Sequence, residues 1–265
     1  MVDPVPQVER SPEALIELFE RDRAVHSYGL ADLEEPFWSQ GRWYRRGDAA
    51  VGVLDLEGAE VAIVYCVSAR ANDETLALLA DLAAAKCLPP HSFLTGPLGV
   101  EAALEPWFEV RWCAPHTRMR LVATDVGTMR SIPDDVVALD SRSLEAIDRL
   151  FTAAPDSGRF FTASMLDTGY YIGRFDRSQL VAMAGVHIVS ERFRVAAIGN
   201  VLTHPDHRGQ GHAGDLVRAV CARLAPTIDE ISLNVSDDNV VARRLYDRLG
   251  FEVVIPFDEG EFVAR

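Results

Sequence analysis

One stretch of the C-terminal half constrains the fold more than any other: an apolar strand that leads through a glycine-rich turn into an amphipathic helix. We predict the strand at 193–203 and the helix at 211–224. The apolar stripe of this helix consists of Leu216, Val220 and Leu224. A strand followed by a helix in this way is typical of an α/β protein.

The turn between this strand and this helix has the chemistry of an anion site. Its successive backbone N–H groups have no helical partner, and the helix dipole adds positive potential. Gly209 and Gly211 let a ligand approach the backbone closely, and Ala213 keeps the start of the helix narrow. Such a turn suits a pyrophosphate, although a glycine-rich turn by itself is also found in ordinary loops.

The two halves of the chain show the same order of elements. In the first half, a helix from Pro12 is predicted to precede strands at 42–46, 50–56, 61–67, 92–95 and 117–123, with helices from Asn72 and at 100–107. In the second half, a helix at 142–153 and a short one at 162–166 accompany strands at 169–175, 179–189, 193–203, 231–235 and from Phe251, with helices at 211–224 and 239–249. We therefore predict a structural duplication, with domains at 1–125 and 130–265 and a linker at 124–135.

The first half lacks a glycine-rich turn at the matching place. Only residues 68–71 separate its strand at 61–67 from the helix that Asn72 is predicted to cap. The apolar face of that helix is predicted to carry Leu76, Leu79 and Ala83. This half is therefore expected to be a degenerate copy that has lost the anion-binding turn.

Two segments of the second half resemble a known family. Residues 208–213 (Arg-Gly-Gln-Gly-His-Ala) are similar to the R/Q-x-x-G-x-G/A signature of the GCN5-related N-acetyltransferase (GNAT) superfamily. Residues 239–251 (Asn-Val-Val-Ala-Arg-Arg-Leu-Tyr-Asp-Arg-Leu-Gly-Phe) resemble that family's N-x-x-A-x-x-L-Y-x-x-x-G-F helix. Residues 169–173 and 180–185 are similar to its glycine N-acyltransferase branch. The resemblance implies two tandem α/β lobes, each a mostly antiparallel sheet flanked by helices.

The resemblance also implies roles for individual residues. The pantetheine arm of acetyl-CoA would pair with the backbone of Val201, Leu202 and Thr203. The pyrophosphate would be held at Gly209, Gln210, Gly211, His212, Ala213 and Gly214. Asn239 would contact the pantetheine or thioester end, and Tyr246 would protonate the departing thiolate. Because the last two are seven residues apart, or two helical turns, we expect them on one face of a helix.

The usual general base of the family is missing here. Many members carry a Glu eleven residues before the position of Arg208, and this chain has Ala197 there. A relocated base could be His187, Glu191 or a residue of the first half. A water chain to bulk solvent, or an acceptor that is already partly neutral, would need none of them. We favour the water chain, because deprotonation by solvent requires no dedicated group.

Charge and local spacing exclude several other classes of site. With 26 Lys and Arg against 40 Asp and Glu, the formal net charge is -14, which disfavours binding to nucleic acid or anionic membranes. His204, His207 and His212 do not match a common zinc spacing, so no metal is predicted. The first residues do not read as a secretion signal, and a cytoplasmic protein is expected.

The prediction is thus an N-acetyltransferase that moves an acetyl group from acetyl-CoA directly to a small-molecule or amino-acid amine. Two alternatives stay open: an amino-acid N-acyltransferase that uses other acyl-CoAs, and a non-catalytic acyl-CoA-binding module. The sequence does not decide between a monomer and a homodimer.

Overall fold

The computed structural model describes residues 6–55, 61–122, 135–155 and 160–265. They form two compact units that are not contiguous in sequence. The first unit consists of residues 1–118, 235–239 and 253–265, and the second of residues 119–234 and 240–252. The predicted linker at 124–135 lies outside the described residues except at its last position.

Among the described residues of the first half there are six strands and five α-helices. The strands are β1 (Val8–Glu9), β2 (Gly41–Arg46), β3 (Ala49–Leu54), β4 (Ala62–Tyr65), β5 (His91–Gly96) and β6 (Phe108–Val122). The helices are α1 (Pro12–Phe19), α2 (Ser27–Asp32), α3 (Phe37–Gln40), α4 (Asn72–Ala84) and α5 (Val100–Leu104).

The part of the second half that the structure describes contains six more strands and three more α-helices. The strands are β7 (Val136–Ala138), β8 (Ile172–Asp176), β9 (Gln179–Ser190), β10 (Val195–Thr203), β11 (Glu230–Ser236) and β12 (Glu252–Ala264). The helices are α6 (Leu144–Ala153), α7 (His212–Leu224) and α8 (Val240–Arg248), with 3-10 turns that include Ala163–Thr168 and Pro205–His207.

Strand pairing confirms the predicted repeat of elements. In the first unit β1, β2, β3 and β4 pair antiparallel in succession, and β4 then pairs parallel with β5. In the second unit β7, β8, β9 and β10 follow the same antiparallel succession, and β10 pairs parallel with β11. Both are mixed sheets, as expected for tandem α/β lobes.

The domain boundaries differ from the contiguous ones predicted from the sequence. Strand β12, at the end of the chain, pairs antiparallel with β5 and is counted with the first unit from Val253 onward. The last residues of β6, from Met119, are counted with the second unit. Local sequence patterns do not report a pairing between strands about 170 residues apart, which is why the exchange of these strands was missed.

The helix α4 also departs in detail from its prediction. It begins at Asn72, which is therefore its first residue, and Ala71 is the capping residue. Its buried residues are Thr75, Leu78, Leu79, Leu82 and Ala83. The apolar stripe is thus centred one position away from Leu76, which is only partly buried.

A buried polar cluster surrounds Arg118 in the first unit. The Arg118 side chain is fully buried, donates to the backbone carbonyl of Val25 and lies 4.8 Å from the centre of the Tyr28 ring. Burial raises the pKa of Asp32 to about 7, and Arg118 opposes that shift. Burial and Arg118 together lower the pKa of His26 to about 3. Two groups of this unit therefore change their proton affinity on folding, in opposite directions.

Within the described ranges of the chain, none of the helices combines the length and the apolar character that a membrane crossing requires.

Candidate active site

Strands β10 and β11 separate part-way along β10. Their parallel pairing begins at Val195 with Glu230 and ends at Ile198 with Leu233, whereas β10 continues to Thr203. Among the described residues, the rest of β10 has no partner in β11, so backbone donors and acceptors on that edge are open to another extended chain. The part of β10 without a β11 partner contains the residues predicted to bond pantetheine: Val201, Leu202 and Thr203. On the opposite edge, Leu202 and Thr203 pair with β9.

The corresponding strands of the first unit stay paired. All four residues of β4, at 62–65, pair with 92–95 of β5. The Cys66 N–H then donates to the Thr95 carbonyl at 2.8 Å, which continues the contact past the end of β4. An open strand edge therefore distinguishes the second unit from the first.

The turn before α7 has the predicted form. Gly209 and Gly211 have φ of 76° and 86°, in the left-handed region that favours glycine. A Cβ at either position would have no neighbouring atom within 4 Å, so the space beside the turn is open. Gly211 is the residue before the helix, which begins at His212 and leaves the N–H groups of its first turn without helical partners. The residues present therefore fit an anionic ligand.

Charges at the start of α7 balance one another. Asp215 would repel an anion there, but Arg174 and Arg218 both contact its carboxylate, at 3.2 and 2.5 Å. Arg174 also bonds Asp135 at 2.9 Å and His212 Nδ1 at 2.7 Å. Burial lowers the pKa of His212, and the Arg174 guanidinium lowers it further. Because the two guanidiniums are paired with carboxylates, the positive potential of this site comes from the backbone N–H groups of the helix start.

The three histidines near the turn lie close to one another. The ring centres of His204 and His207 are 5.7 Å apart, and those of His207 and His212 are 6.4 Å apart. Over the part of the chain that the structure describes, no group of three or more His, Cys, Asp or Glu side chains is placed to hold a metal ion. The His204 side chain instead accepts a hydrogen bond from the Asp206 N–H at 3.3 Å.

Helix α8 presents Tyr246 to the interior. Tyr246 is the buried residue of this helix, with its ring centre 5.8 Å from that of Phe251. Burial raises the pKa of Tyr246 to about 12, so its hydroxyl stays protonated at physiological pH. Asn239 lies just before the helix, not in it, and is exposed. The expectation of one shared helical face therefore has to be corrected, because only Tyr246 lies within α8.

Strands β9 and β10 carry two irregularities in their pairing. His187 is an extra residue on β9, opposite the step from Ala197 to Ile198. Asn200 and Val201 form a bulge on β10, two residues beyond its last pair with β11. Because each strand has one extra residue, the register is the same on either side of the two irregularities.

Asn200 anchors this bulge. Its φ of 51° is uncommon for a residue with a side chain. Its amide nitrogen donates to the Tyr171 hydroxyl at 2.7 Å and to the Phe160 backbone carbonyl at 3.0 Å. The Tyr171 hydroxyl in turn donates to the Val186 carbonyl at 3.0 Å. The bulge is therefore tied to three neighbouring segments.

Two glycines make room for the rings around the bulge. A Cβ at Gly199 would lie 2.1 Å from Cδ2 of His187, and one at Gly185 would lie 2.5 Å from the Tyr171 ring. Sequence reasoning missed this network, although a signal was present. The dipeptide Gly199-Asn200 interrupts an apolar strand, and glycine inside a strand often marks a bulge or a close approach.

The groups considered as general base lie in different environments. Ala197 is fully buried and offers no titratable group. Glu191 is exposed on the turn between β9 and β10. Burial lowers the pKa of His187 to about 4, and a hydrogen bond with Asn200 opposes that shift. At neutral pH His187 is therefore an uncharged imidazole.

The start of α4 in the first unit has a different character from the start of α7. A groove there is lined by Asp48, Arg70, Asp73 and Glu74, among others. Two of these carboxylates, Asp73 and Glu74, lie in the first turn of the helix. Acidic side chains at that place compete with a phosphate for the helix N-terminus.

The comparisons with known proteins agree with this geometry. The family model described as "Acetyltransferase (GNAT) family" matches residues 140–251. No curated protein sequence matches the chain.

Solved structures share the fold over most of the chain. A Drosophila protein is 14% identical, with 98% of each chain covered and a TM-score of 0.73. A GNAT-family protein from Novosphingobium aromaticivorans is 24% identical, with 76% of this chain and 84% of that chain covered and a TM-score of 0.56. A tandem GNAT protein from the clavulanic acid biosynthesis pathway is 15% identical, with 98% and 97% covered and a TM-score of 0.53. At these identities the likeness concerns the fold. The family model and the shared fold lead to one conclusion: residues 140–251 match the acetyltransferase domain of the GNAT family.

Proposed function

We propose that the second unit binds acyl-coenzyme A along the open edge of β10 and at the turn before α7. The pantetheine arm pairs with the backbone of Val201, Leu202 and Thr203, and N–H groups of residues 209–214 bond the pyrophosphate. One observation carries this proposal: the β10–β11 pairing ends at Ile198, so an unpaired strand edge leads along the chain to an anion-binding helix start.

The reaction we propose is direct transfer of an acetyl group to an amine. The amine nitrogen attacks the thioester carbonyl carbon and forms a C–N bond; the C–S bond breaks, and the sulfur leaves as a thiolate. Tyr246, whose hydroxyl stays protonated, donates a proton to that thiolate. The nitrogen loses one proton to solvent as the amide forms, and a proton from solvent restores the phenol. A backbone N–H at Val201 polarises the thioester carbonyl. A free amine held close to a thioester needs no covalent enzyme intermediate.

The second proton, from the acceptor ammonium, leaves through solvent in this proposal. Ala197 cannot accept it, and Glu191 is exposed on a turn. The pKa of His187, about 4, is far below that of an alkyl ammonium, so proton transfer to it is strongly uphill. Loss of the proton to bulk solvent costs only the free energy set by the difference between the acceptor's pKa and the ambient pH, and it leaves no charged imidazole in a buried site. The acidic limb of kcat/KM is then expected to follow the pKa of the acceptor and to shift with a less basic amine.

The acceptor we propose is a small-molecule or amino-acid amine. The similarity of residues 169–173 and 180–185 to glycine N-acyltransferases favours an amino-acid acceptor and donors other than acetyl-CoA as the second candidate. The absence of the usual Glu at Ala197 keeps a non-catalytic binding module as the third.

A transfer assay separates these three functions. The protein is mixed with acetyl-, propionyl- or a longer acyl-CoA and with a panel of small amines and amino acids, and release of the coenzyme thiol is followed. We expect thiol release that depends on both acetyl-CoA and an amine. Release that is faster with longer acyl groups would favour the second candidate. Tight acyl-CoA binding without release, for any amine of the panel, would leave only the binding module.

The first unit, in this proposal, binds no coenzyme. Its β4 is paired to the end, and the first turn of α4 carries Asp73 and Glu74. Both features oppose the binding of a pyrophosphate-linked pantetheine.

A further inference from the structure

Asn200 occupies a position whose backbone would suit glycine. A bulge whose first residue is left-handed usually has glycine there, and Asn200 has a φ of 51°. Asparagine tolerates this conformation better than most residues, but less readily than glycine does. What asparagine adds is its amide, whose nitrogen donates to Tyr171 and Phe160 in this structure.

The contacts of the amide leave one arrangement of its atoms. The Phe160 carbonyl can only accept, so the amide nitrogen must face it. The same nitrogen donates to the Tyr171 hydroxyl, whose own hydrogen goes to the Val186 carbonyl. The pKa of His187 is raised by a side-chain hydrogen bond with Asn200, against the effect of burial. The amide nitrogen of Asn200 thus joins Tyr171, the residue before β8, to the segment before the 3-10 turn.

This anchor lies at the residue before the proposed coenzyme contacts. Asn200 and Val201 together face a single residue of β9, so their peptide groups leave the regular β9–β10 ladder. The same residues lie beyond the last β10–β11 pair, at Ile198. The direction of the Val201 N–H consequently depends on the bulge and not on a neighbouring strand.

We propose that Asn200 is a positioning residue: its left-handed backbone and anchored amide fix the direction in which the Val201 N–H meets the acyl carbonyl. This inference rests on the proposed function, because it assumes an acyl group bound beside β10. A misdirected donor weakens charge stabilisation on the carbonyl oxygen in the transition state more than it weakens binding of the coenzyme, most of which is held elsewhere.

Two substitutions test this role. Asn200→Gly keeps access to the left-handed backbone and removes the amide, and Tyr171→Phe keeps the ring over Gly185 and removes the hydroxyl that the amide bonds. For Asn200→Gly we expect kcat to fall about 10–100-fold and KM for acetyl-CoA to stay within about threefold. Tyr171→Phe should lower kcat in the same direction by a smaller factor. Arg177→Gly is the matched control, since Arg177 is an exposed left-handed residue with φ of 53° on the β8–β9 turn; it should leave kcat unchanged.

Amide exchange gives a readout that does not need transfer activity. Acetyl-CoA is expected to slow hydrogen exchange at the Val201 amide in the wild type, and to slow it much less in Asn200→Gly. The comparison is made at acetyl-CoA concentrations at which calorimetry shows that both proteins are saturated. Wild-type kcat in Asn200→Gly, or a raised KM at unchanged kcat, would overturn the inference and leave Asn200 as a residue that merely fits the backbone. Unprotected Val201 in the acetyl-CoA-bound wild type would overturn it as well. A wild type that protects Val201 but acetylates no amine would instead contradict the proposed function alone.

Discussion

Burial gives Tyr246 a dual character. The apolar surroundings that raise its pKa to about 12 make it a weaker acid than a free phenol, and they also guarantee that the hydroxyl carries its proton. A thiolate formed in the same low-dielectric space is itself more basic than in water. The phenol and the leaving sulfur are therefore shifted in the same direction, and proton transfer between them remains feasible.

Replacement of Tyr246 by Phe keeps the ring that packs near Phe251 and removes the proton donor. We expect kcat to fall roughly 10–1000-fold and KM for acetyl-CoA to change little, because the lost interaction matters most as the thiolate forms. Single-turnover kinetics under conditions where chemistry limits the rate would measure the change. Tyr44→Phe is the control, since Tyr44 is also buried but belongs to the first unit. An equal kcat in the two variants would reduce Tyr246 to a packing residue.

At the scale of elements, the turn before α7 combines a left-handed backbone with open space. Gly211 has a φ of 86° and nothing within 4 Å of a built Cβ. Gly169, with a φ of 75°, has the same two properties but lies at the end of the 3-10 turn Ala163–Thr168. The two glycines thus share a left-handed backbone and open space, and they differ in that only Gly211 belongs to the proposed pyrophosphate site.

We predict that Gly211→Asp abolishes acetyl-CoA binding, whereas Gly169→Asp preserves it. Both variants place a side chain on a left-handed backbone and should lose stability to a similar extent, about 1 kcal/mol. Only Gly211→Asp puts a carboxylate against the proposed phosphate site. In the wild type, acetyl-CoA at 100 times its Kd should stabilise the fold by about 2.7 kcal/mol, seen as a rise in Tm. Coenzyme binding by Gly211→Asp with wild-type affinity would show that the site is elsewhere.

At the scale of the whole molecule, the two units have the same order of elements but differ in the strand edge and the helix start that a coenzyme would use. The strand that continues beyond its parallel partner, and the helix start without a surplus of carboxylates, are both in the second unit. The matching elements of the first unit are a fully paired β4 and an acidic first turn of α4. Duplication of a fold therefore does not imply duplication of a binding site.

Calorimetric titration with acetyl-CoA should accordingly give one site per chain. The combined variant Asp73→Asn with Glu74→Gln removes the acidic pair in α4 and is expected to leave this stoichiometry unchanged, because β4 still has no open edge. Two sites per wild-type chain would refute the assignment of coenzyme binding to the second unit alone.

The Arg118 cluster makes stability depend on pH in two opposite ways. The pKa of His26 is about 3 in the folded protein and 6.5 in the unfolded chain. Its contribution to the free energy of unfolding is therefore present above pH 6.5 and is lost as pH falls through about 3. The folded pKa of Asp32, about 7, is above its unfolded value of 3.8, so its contribution is present below pH 3.8 and is lost as pH rises through about 7.

The two substitutions His26→Phe and Asp32→Asn should therefore change the pH profile in opposite senses. Relative to the wild type, His26→Phe should gain stability as pH falls below 6.5, with its ring still able to stack on Phe19. Asp32→Asn should gain relative stability as pH rises from 3.8 to about 7. For each variant, the difference from the wild type in free energy of unfolding should change by at most about 1.4 kcal/mol per pH unit. Thermal melts across pH 4 to 8 would measure both, and parallel profiles for the two variants would contradict the assignment.

Local patterns were sufficient for the longer helices and for the turn, although they did not reveal β1, α2, α3 and β7. The helix stripe of Leu216, Val220 and Leu224 is buried as predicted, and Gly209 and Gly211 are left-handed ahead of α7. These features depend on residues within one or two turns of one another, so periodicity and the steric freedom of glycine are enough to reveal them. The motifs of residues 208–213 and 239–251 likewise lie within single segments, and they led to the family on their own.

Tertiary structure alone decided where the pairing between two strands ends and which side chains come into contact. The end of the β10–β11 pairing at Ile198, and the return of β12 to β5, depend on contacts between distant segments. The network of Asn200 and Tyr171 joins residues 29 positions apart, and the low pKa of His187 results from the burial that this packing imposes. A sequence shows which donors, acceptors and rings are available. Their distances and their exposure to water, which determine hydrogen bonding and proton affinity, exist only once the strands are packed.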